Sequence, residues 1–209
     1  TFVVATGPTA RFWGTDSLPG PTVSSRMVAF SQVAASRDGS LVAGTGGSWV
    51  ALASASGVLL REWQPAEALV QDIAFLAPRD RLASAHWDGS VVLSAVDGSR
   101  VAAWNAHEPR TLKAVTGSPD GSLVATGGTD RLVKLWTAGG AAVRTISDAG
   151  GWVNDLAFSP DGLLLAAATT SDGVRIWSTG GGAPPAPAAP RLPAAGSVNR
   201  VAFSPDGTR

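Results

Sequence analysis

The chain has 209 residues, enough to bury a sizeable core, and its sixteen basic and sixteen acidic side chains cancel at a sequence pI near 6.7. That balance, with no clustering of Lys or Arg, leaves no field to draw in nucleic acid or an anionic membrane. The lack of Cys removes disulfides, thiolate catalysis and Cys-based zinc sites together, and it permits a reducing compartment, so a cytoplasmic location is the expectation. Thr1 is not an initiator residue, and the natural N-terminus is expected to lie upstream. The longest apolar run, Leu163 to Ala168, is far too short to cross a bilayer.

In chain order, Phe2-Val3-Val4-Ala5-Thr6 and Ala10-Arg11-Phe12-Trp13 read as two strands. Four longer units follow, at about 30–66, 67–107, 108–150 and 151–195. The third is the best formed. Its runs Leu112 to Gly117, Ser122 to Thr126, Leu132 to Trp136 and Ala142 to Ile146 are β-branched-rich and separated by Gly, Pro and Asp, which predicts a four-stranded antiparallel meander. The fourth unit matches it in Val153 to Phe158, Leu163 to Thr169 and Val174 to Trp177, then runs into a Pro/Ala-rich loop over 180–195. Proline supplies no amide donor there, so a surface loop is expected. The last piece, Val198 to Phe203, reads as a lone first strand with its turn.

A motif joins the first two runs of these units. Ser-Pro-Asp-Gly occurs at Ser118 to Gly121, Ser159 to Gly162 and Ser204 to Gly207, with a degenerate copy at Ser36 to Gly39. Gly39 and Gly121 lie 82 residues apart, twice the 41 that separates Gly121 from Gly162, and Trp136 and Trp177 are again 41 apart. A fixed period of this length is the mark of a repeat architecture. Asp in such a turn bonds its own backbone, so Asp120, Asp161 and Asp206 are read as turn formers held apart on a rim, and no metal site is expected.

The string Trp152-Val153-Asn154-Asp155-Leu156-Ala157-Phe158-Ser159-Pro160-Asp161-Gly162, with Val174-Arg175-Ile176-Trp177 after it, resembles the WD-repeat family. The resemblance implies an all-β fold, a β-propeller of WD repeats with four full four-stranded blades and two partial ones, in a single domain over 1–209. The partial units at the two ends could pair into a composite fifth blade, or the chain could be an arc of a larger propeller; the arc is the expectation. The family's structural tetrad of His, Ser/Thr, Asp and Trp maps onto His107, Thr126, Asp130 and Trp136 in blade three, with Asp172 and Trp177 surviving in blade four and Ala149 at about the His position. The resemblance also sets Trp87 and Trp152 in loops of the partner-binding top face, and Gln71, Lys113, Asn154 and Asn199 at the channel mouth. Those four are polar and largely uncharged, which suits hydrogen bonding to an extended peptide better than capture of acidic tails.

Trp13, Trp136 and Trp177 are expected between blades, and Trp63 and Trp104 in edge packing. His86, beside Trp87, reads as an ordinary turn residue. With two His in the chain and no nucleophile elbow, dinucleotide fingerprint or phosphate loop, neither catalysis nor a cofactor is expected. The expected function is a non-catalytic scaffold that binds a protein or peptide partner, monomeric or part of a longer chain, with no nucleic-acid or membrane partner. The alternatives are a regulatory or sensory propeller of a larger signalling enzyme and, less favoured, a hydrolase or small-ligand propeller.

Overall fold

The computed structural model of the chain describes residues 2–6, 9–13, 19–24, 29–77, 81–180, 192–194 and 196–207. Most of the Pro/Ala-rich loop and the side chains of 2–24, Trp13 among them, lie outside the described residues. The secondary structure described is all strand and turn, in five antiparallel sheets. The first holds β1 (Phe2–Thr6), β2 (Thr9–Trp13) and β3 (Pro19–Ser24). Three four-stranded meanders follow. They are β4 (Gln32–Ala35), β5 (Leu41–Gly46), β6 (Trp49–Ser54) and β7 (Leu59–Trp63); β8 (Val70–Leu76), β9 (Arg81–His86), β10 (Ser90–Ser94) and β11 (Arg100–Asn105); and β12 (Leu112–Gly117), β13 (Leu123–Gly128), β14 (Val133–Thr137) and β15 (Ala142–Ile146). The last sheet is β16 (Val153–Phe158), β17 (Leu164–Thr169) and β18 (Val174–Ser178).

That last sheet is one strand short of the expected four. The residues that would supply the strand fall mainly in 181–191, outside the described residues, and a single bridge from Leu192 to Val174 is described beside β18. Residues 198–203 form no ladder, although Val198 donates its N–H to Thr169 O at 3.0 Å. Among the described residues no ladder joins this segment to β1, so the sheets do not close into a composite blade.

The turn motif works through its Ser and Asp. Ser118 Oγ donates to Asp120 Oδ1 at 2.5 Å and accepts Leu123 N–H at 2.9 Å, while Gly121 sits at φ 69. Ser36 and Asp38 make the same bonds with Arg37 in the place of the proline, so the turn survives that replacement. Its Gly39 also has positive φ, where only glycine is unstrained.

The motif joins the first strand of a sheet to the second, and the first strands are the inner ones: β12 lies between β8 and β16, and β4 packs on β8. The second strands are buried on both faces and read as continuous small and apolar runs, such as Leu-Val-Ala-Thr-Gly-Gly in β13. Outer strands reach across to the next sheet. A Cβ on Gly140 would meet the Trp104 ring at 2.7 Å, and one on Gly98 would meet the Trp63 ring at 3.4 Å. Each of these tryptophans therefore covers a hairpin glycine of the following sheet, and Trp104 also lies 6.1 Å from Trp136, centroid to centroid. Edge packing at Trp63 and Trp104 is thus packing between sheets.

One expectation about the turns is corrected. They are not held apart on a rim: Arg37, Ser118, Pro119, Pro160 and Pro205 line one recess of about 420 Å³, and Arg37 Nη1 donates to Pro119 O at 3.0 Å. The cause is topological, since a turn that ends an inner strand must lie at the inner end of its sheet.

Candidate functional site

At the opposite ends of the inner strands, the same irregularity recurs three times. The register slips between Val70 and Asp72, between Leu112 and Ala114 and between Val153 and Asp155, so Gln71, Lys113 and Asn154 are each the extra residue of a β-bulge. A bulge re-aims its side chain. Lys113 Nζ donates to Asn154 Oδ1 at 3.3 Å, and Asn154 Nδ2 donates to Val198 O at 2.9 Å and to Ser197 Oγ at 3.2 Å. Ser197 Oγ reaches Asn199 Oδ1 at 3.4 Å. One polar chain thus runs from the third sheet through the fourth to the segment beyond it. Gln71 is half-buried at the matching bulge of β8 and takes no part in that chain.

The tryptophans stand beside these bulges. Trp152 is 51% exposed, with the Lys113 ammonium 5.9 Å from its ring centroid. Its backbone is clipped on both sides, its N–H donating to Thr170 Oγ1 and its carbonyl accepting Thr170 N–H, each at 3.0 Å. Trp87 is 44% exposed; its N–H donates to Leu69 O at 2.8 Å and its carbonyl accepts Arg110 N–H at 2.6 Å. Two groups result: Trp152 with Lys113 and Asn154, and Trp87 with Leu69 and Arg110.

Two apolar members escaped the sequence reading. Leu69 is exposed at the position before the inner-strand Val, where the fourth sheet has Trp152, so aligning the units on that Val would have found it. Trp49 is also exposed, two residues after the Gly47 whose carbonyl accepts Val70 N–H, and a strand-start Trp carries no sequence signal of exposure.

Behind this face several buried polar groups are paired, while the buried indole N–H groups of Trp63 and Trp104 have no partner. In the third sheet His107 Nδ1 lies 2.7 Å from Asp130 Oδ2 and His107 Nε2 lies 2.9 Å from Thr126 Oγ1, which also accepts the Trp136 indole N–H at 2.9 Å. His107, Thr126, Asp130 and Trp136 thus form one connected chain. Burial pushes the Asp130 carboxyl up, but its bond to His107 and the His107 charge outweigh that and leave it below the usual range. In the fourth sheet Asp172 and Trp177 are not so joined. Ala167 takes the strand position that Thr126 holds, opposite the third strand, and the Trp177 indole donates to Asp148 Oδ1 at 3.2 Å.

His86 differs from its turn assignment. It ends β9, fully buried, with Nε2 2.8 Å from Ser84 Oγ and Nδ1 3.2 Å from Ala68 O. Burial holds its pKa below the usual value, so it is a neutral brace. Among the described residues no group of three His, Asp or Glu could hold a metal.

Residues 98–137 and 140–178 each match the family described as WD domain, G-beta repeat. The chain carries WD repeats. The two matches cover the Gly98 hairpin with the third sheet's first three strands, then β15 with the fourth sheet, so a sequence unit straddles two blades of the structure. No curated protein matches the chain. WD repeats generally serve as non-catalytic platforms for protein–protein interaction.

Proposed function

We propose that this WD-repeat chain is a non-catalytic interaction scaffold that takes an extended peptide segment of a protein partner on the face carrying Trp152, Lys113 and Asn154. The observation that carries the reading is Trp152 itself: a half-exposed indole on a residue whose N–H and carbonyl are both bonded to Thr170, beside two bulge side chains with hydrogen-bonding heads. A large exposed aromatic on a fixed main chain loses less entropy on docking than one on a mobile loop, as suits an interface anchor. Asn199 offers its amide, and Asn154, whose two N–H groups are committed, its carbonyl oxygen, to a peptide backbone, while Trp87 with Leu69 and Trp49 extends the apolar contact over the first two blades.

Peptides selected from a random display library on the full chain, then titrated against wild type, Trp152→Ala and Asn154→Ala, test this. The reading expects the Trp152 variant to lose about tenfold or more in affinity and the Asn154 variant a smaller amount. Unchanged affinity in both variants places binding elsewhere.

A further inference from the structure

We infer that the segment bound at this face is acidic, its carboxylates meeting the unpartnered guanidiniums of Arg110 and Arg131 on top of the third blade between Trp87 and Trp152; this rests on the peptide-binding reading above. Arg110 and Arg131 are the two non-glycine residues with left-handed backbone among the described residues, at φ 67 and 65. A long side chain in that region is strained, and such strain persists where surrounding structure and function hold it. Both arginines are exposed. Their loops are tied together by Thr129 N–H donating to Thr111 O at 2.7 Å, so the two stand at one end of β12 and β13, with Lys113 three residues after Arg110.

Neither guanidinium takes part in a side-chain hydrogen bond or ion pair among the described residues. The neighbouring carboxylates are mostly taken: Asp130 is bonded to His107 and to Leu132 N–H, and Asp88 to the Ser90 hydroxyl and amide. Glu108 is the remaining acid of these loops, against Arg110, Lys113 and Arg131. Asp88 and Asp130 stay ionised within those bonds, so with Glu108 three carboxylates match the three cations in number, and the two guanidiniums stand out as the charges with no bonded partner. Tryptophan on either side gives room for apolar side chains between the acids, and three cations are few for a nucleic-acid backbone, whose binding grows with the number of phosphates neutralised. The polar, uncharged channel mouth read from the sequence is thus only part of this face. Arg110 and Arg131 add two unpartnered guanidiniums to it.

The test uses the full chain and three fluorescein-labelled probes of equal length: the peptide Asp-Glu-Phe-Asp-Glu-Leu-Asp-Glu, its carboxamide counterpart Asn-Gln-Phe-Asn-Gln-Leu-Asn-Gln, and an oligothymidylate. Anisotropy titration is expected to rank the acidic peptide about tenfold or more above the carboxamide one and above the oligothymidylate, with affinity falling as salt rises. The double variant Arg110→Gly, Arg131→Gly keeps or raises the melting temperature, because glycine suits positive φ, while its affinity for the acidic probe falls about tenfold. Equal binding of the two peptides, tighter binding of the oligothymidylate, or an unaffected double variant overturns the inference. Loss in Trp152→Ala without loss in the double variant overturns the acidic preference and leaves peptide docking standing. Retention in both overturns the two readings together.

Discussion

Asp72 Oδ2 accepts the main-chain N–H of Val115 at 2.9 Å, so a side chain of one inner strand closes a hydrogen bond on the next. Asp155, at the same place in the fourth blade, accepts Val201 N–H at 2.9 Å and lies 3.7 Å from Arg200 Nη1. Arg200 in turn donates to Gln32 of the first blade. These latches tie blade to blade at the level of the inner strands, and they carry a pH dependence.

Burial pushes the Asp72 carboxyl up to about 7, against the opposing pull of the Val115 and Ile73 amides, and Asp155 is raised for the same first reason. A carboxyl whose folded pKa exceeds its unfolded one binds more protons when folded. It therefore lowers stability as pH rises from about 4 to about 7, by at most about 1.4 kcal/mol per pH unit. His86 acts oppositely below its ordinary value, since its folded pKa is depressed. Urea melts of Asp72→Asn across that window isolate the Asp72 contribution: the amide oxygen still accepts Val115 N–H, and the variant gains on wild type as pH rises towards 8. A difference independent of pH would contradict the assignment.

Thr126 Oγ1 joins His107 and Trp136 in the third blade, so removing its hydroxyl strands two buried groups. Thr126→Val keeps the shape and is expected to cost about 2–4 kcal/mol in denaturant unfolding. A cost under about 0.5 kcal/mol would show that the chain adds nothing to stability.

Two glycines with similar backbone angles separate strain from steric overlap. Gly39, at φ 72, has nothing within 4 Å of a Cβ, whereas Gly140, at φ 84, would drive one into Trp104. Gly39→Ala is expected to cost about 1 kcal/mol and Gly140→Ala at least twice that, read from the same melts. Equal costs would mean that Trp104 does not press on the following blade.

The fold was legible because its signals are local. Ser, Asp and Gly at fixed offsets make a turn whatever fills the second place, and the 41-residue spacing repeats the strands around it. The third blade's tetrad residues were named from the resemblance to WD repeats, and the structure joins them in one hydrogen-bonded chain. What failed to show were long-range substitutions and backbone angles. Nothing in the sequence says that the Trp177 indole, facing Ala167 in place of a hydroxyl, turns to Asp148, or that His86 is drawn into the core by Ser84 and Ala68. Arg110 and Arg131 read as ordinary loop cations until their positive φ is seen.

Braces differ between blades, and local stability should follow. The first blade has Gly44 and Ala53 at the places of Thr126 and Trp136, with the Phe30 ring against Gly44, so neither member of the third blade's Thr-Trp pair is there. Native-state amide exchange is expected to be faster in β5 and β6 than in β13 and β14. Equal protection would count against the chain as a source of rigidity.

The claim that the bulge-and-tryptophan face is the binding face is tested most directly by an exchange footprint with a selected peptide bound. Slowed exchange is predicted at Leu69 to Gln71, Trp87, Arg110 to Lys113 and Trp152 to Asn154, with the turns Ser118 to Gly121 and Ser159 to Gly162 unchanged. Protection at those turns, with none around Trp152, would place the partner at the opposite end of the inner strands and contradict the account.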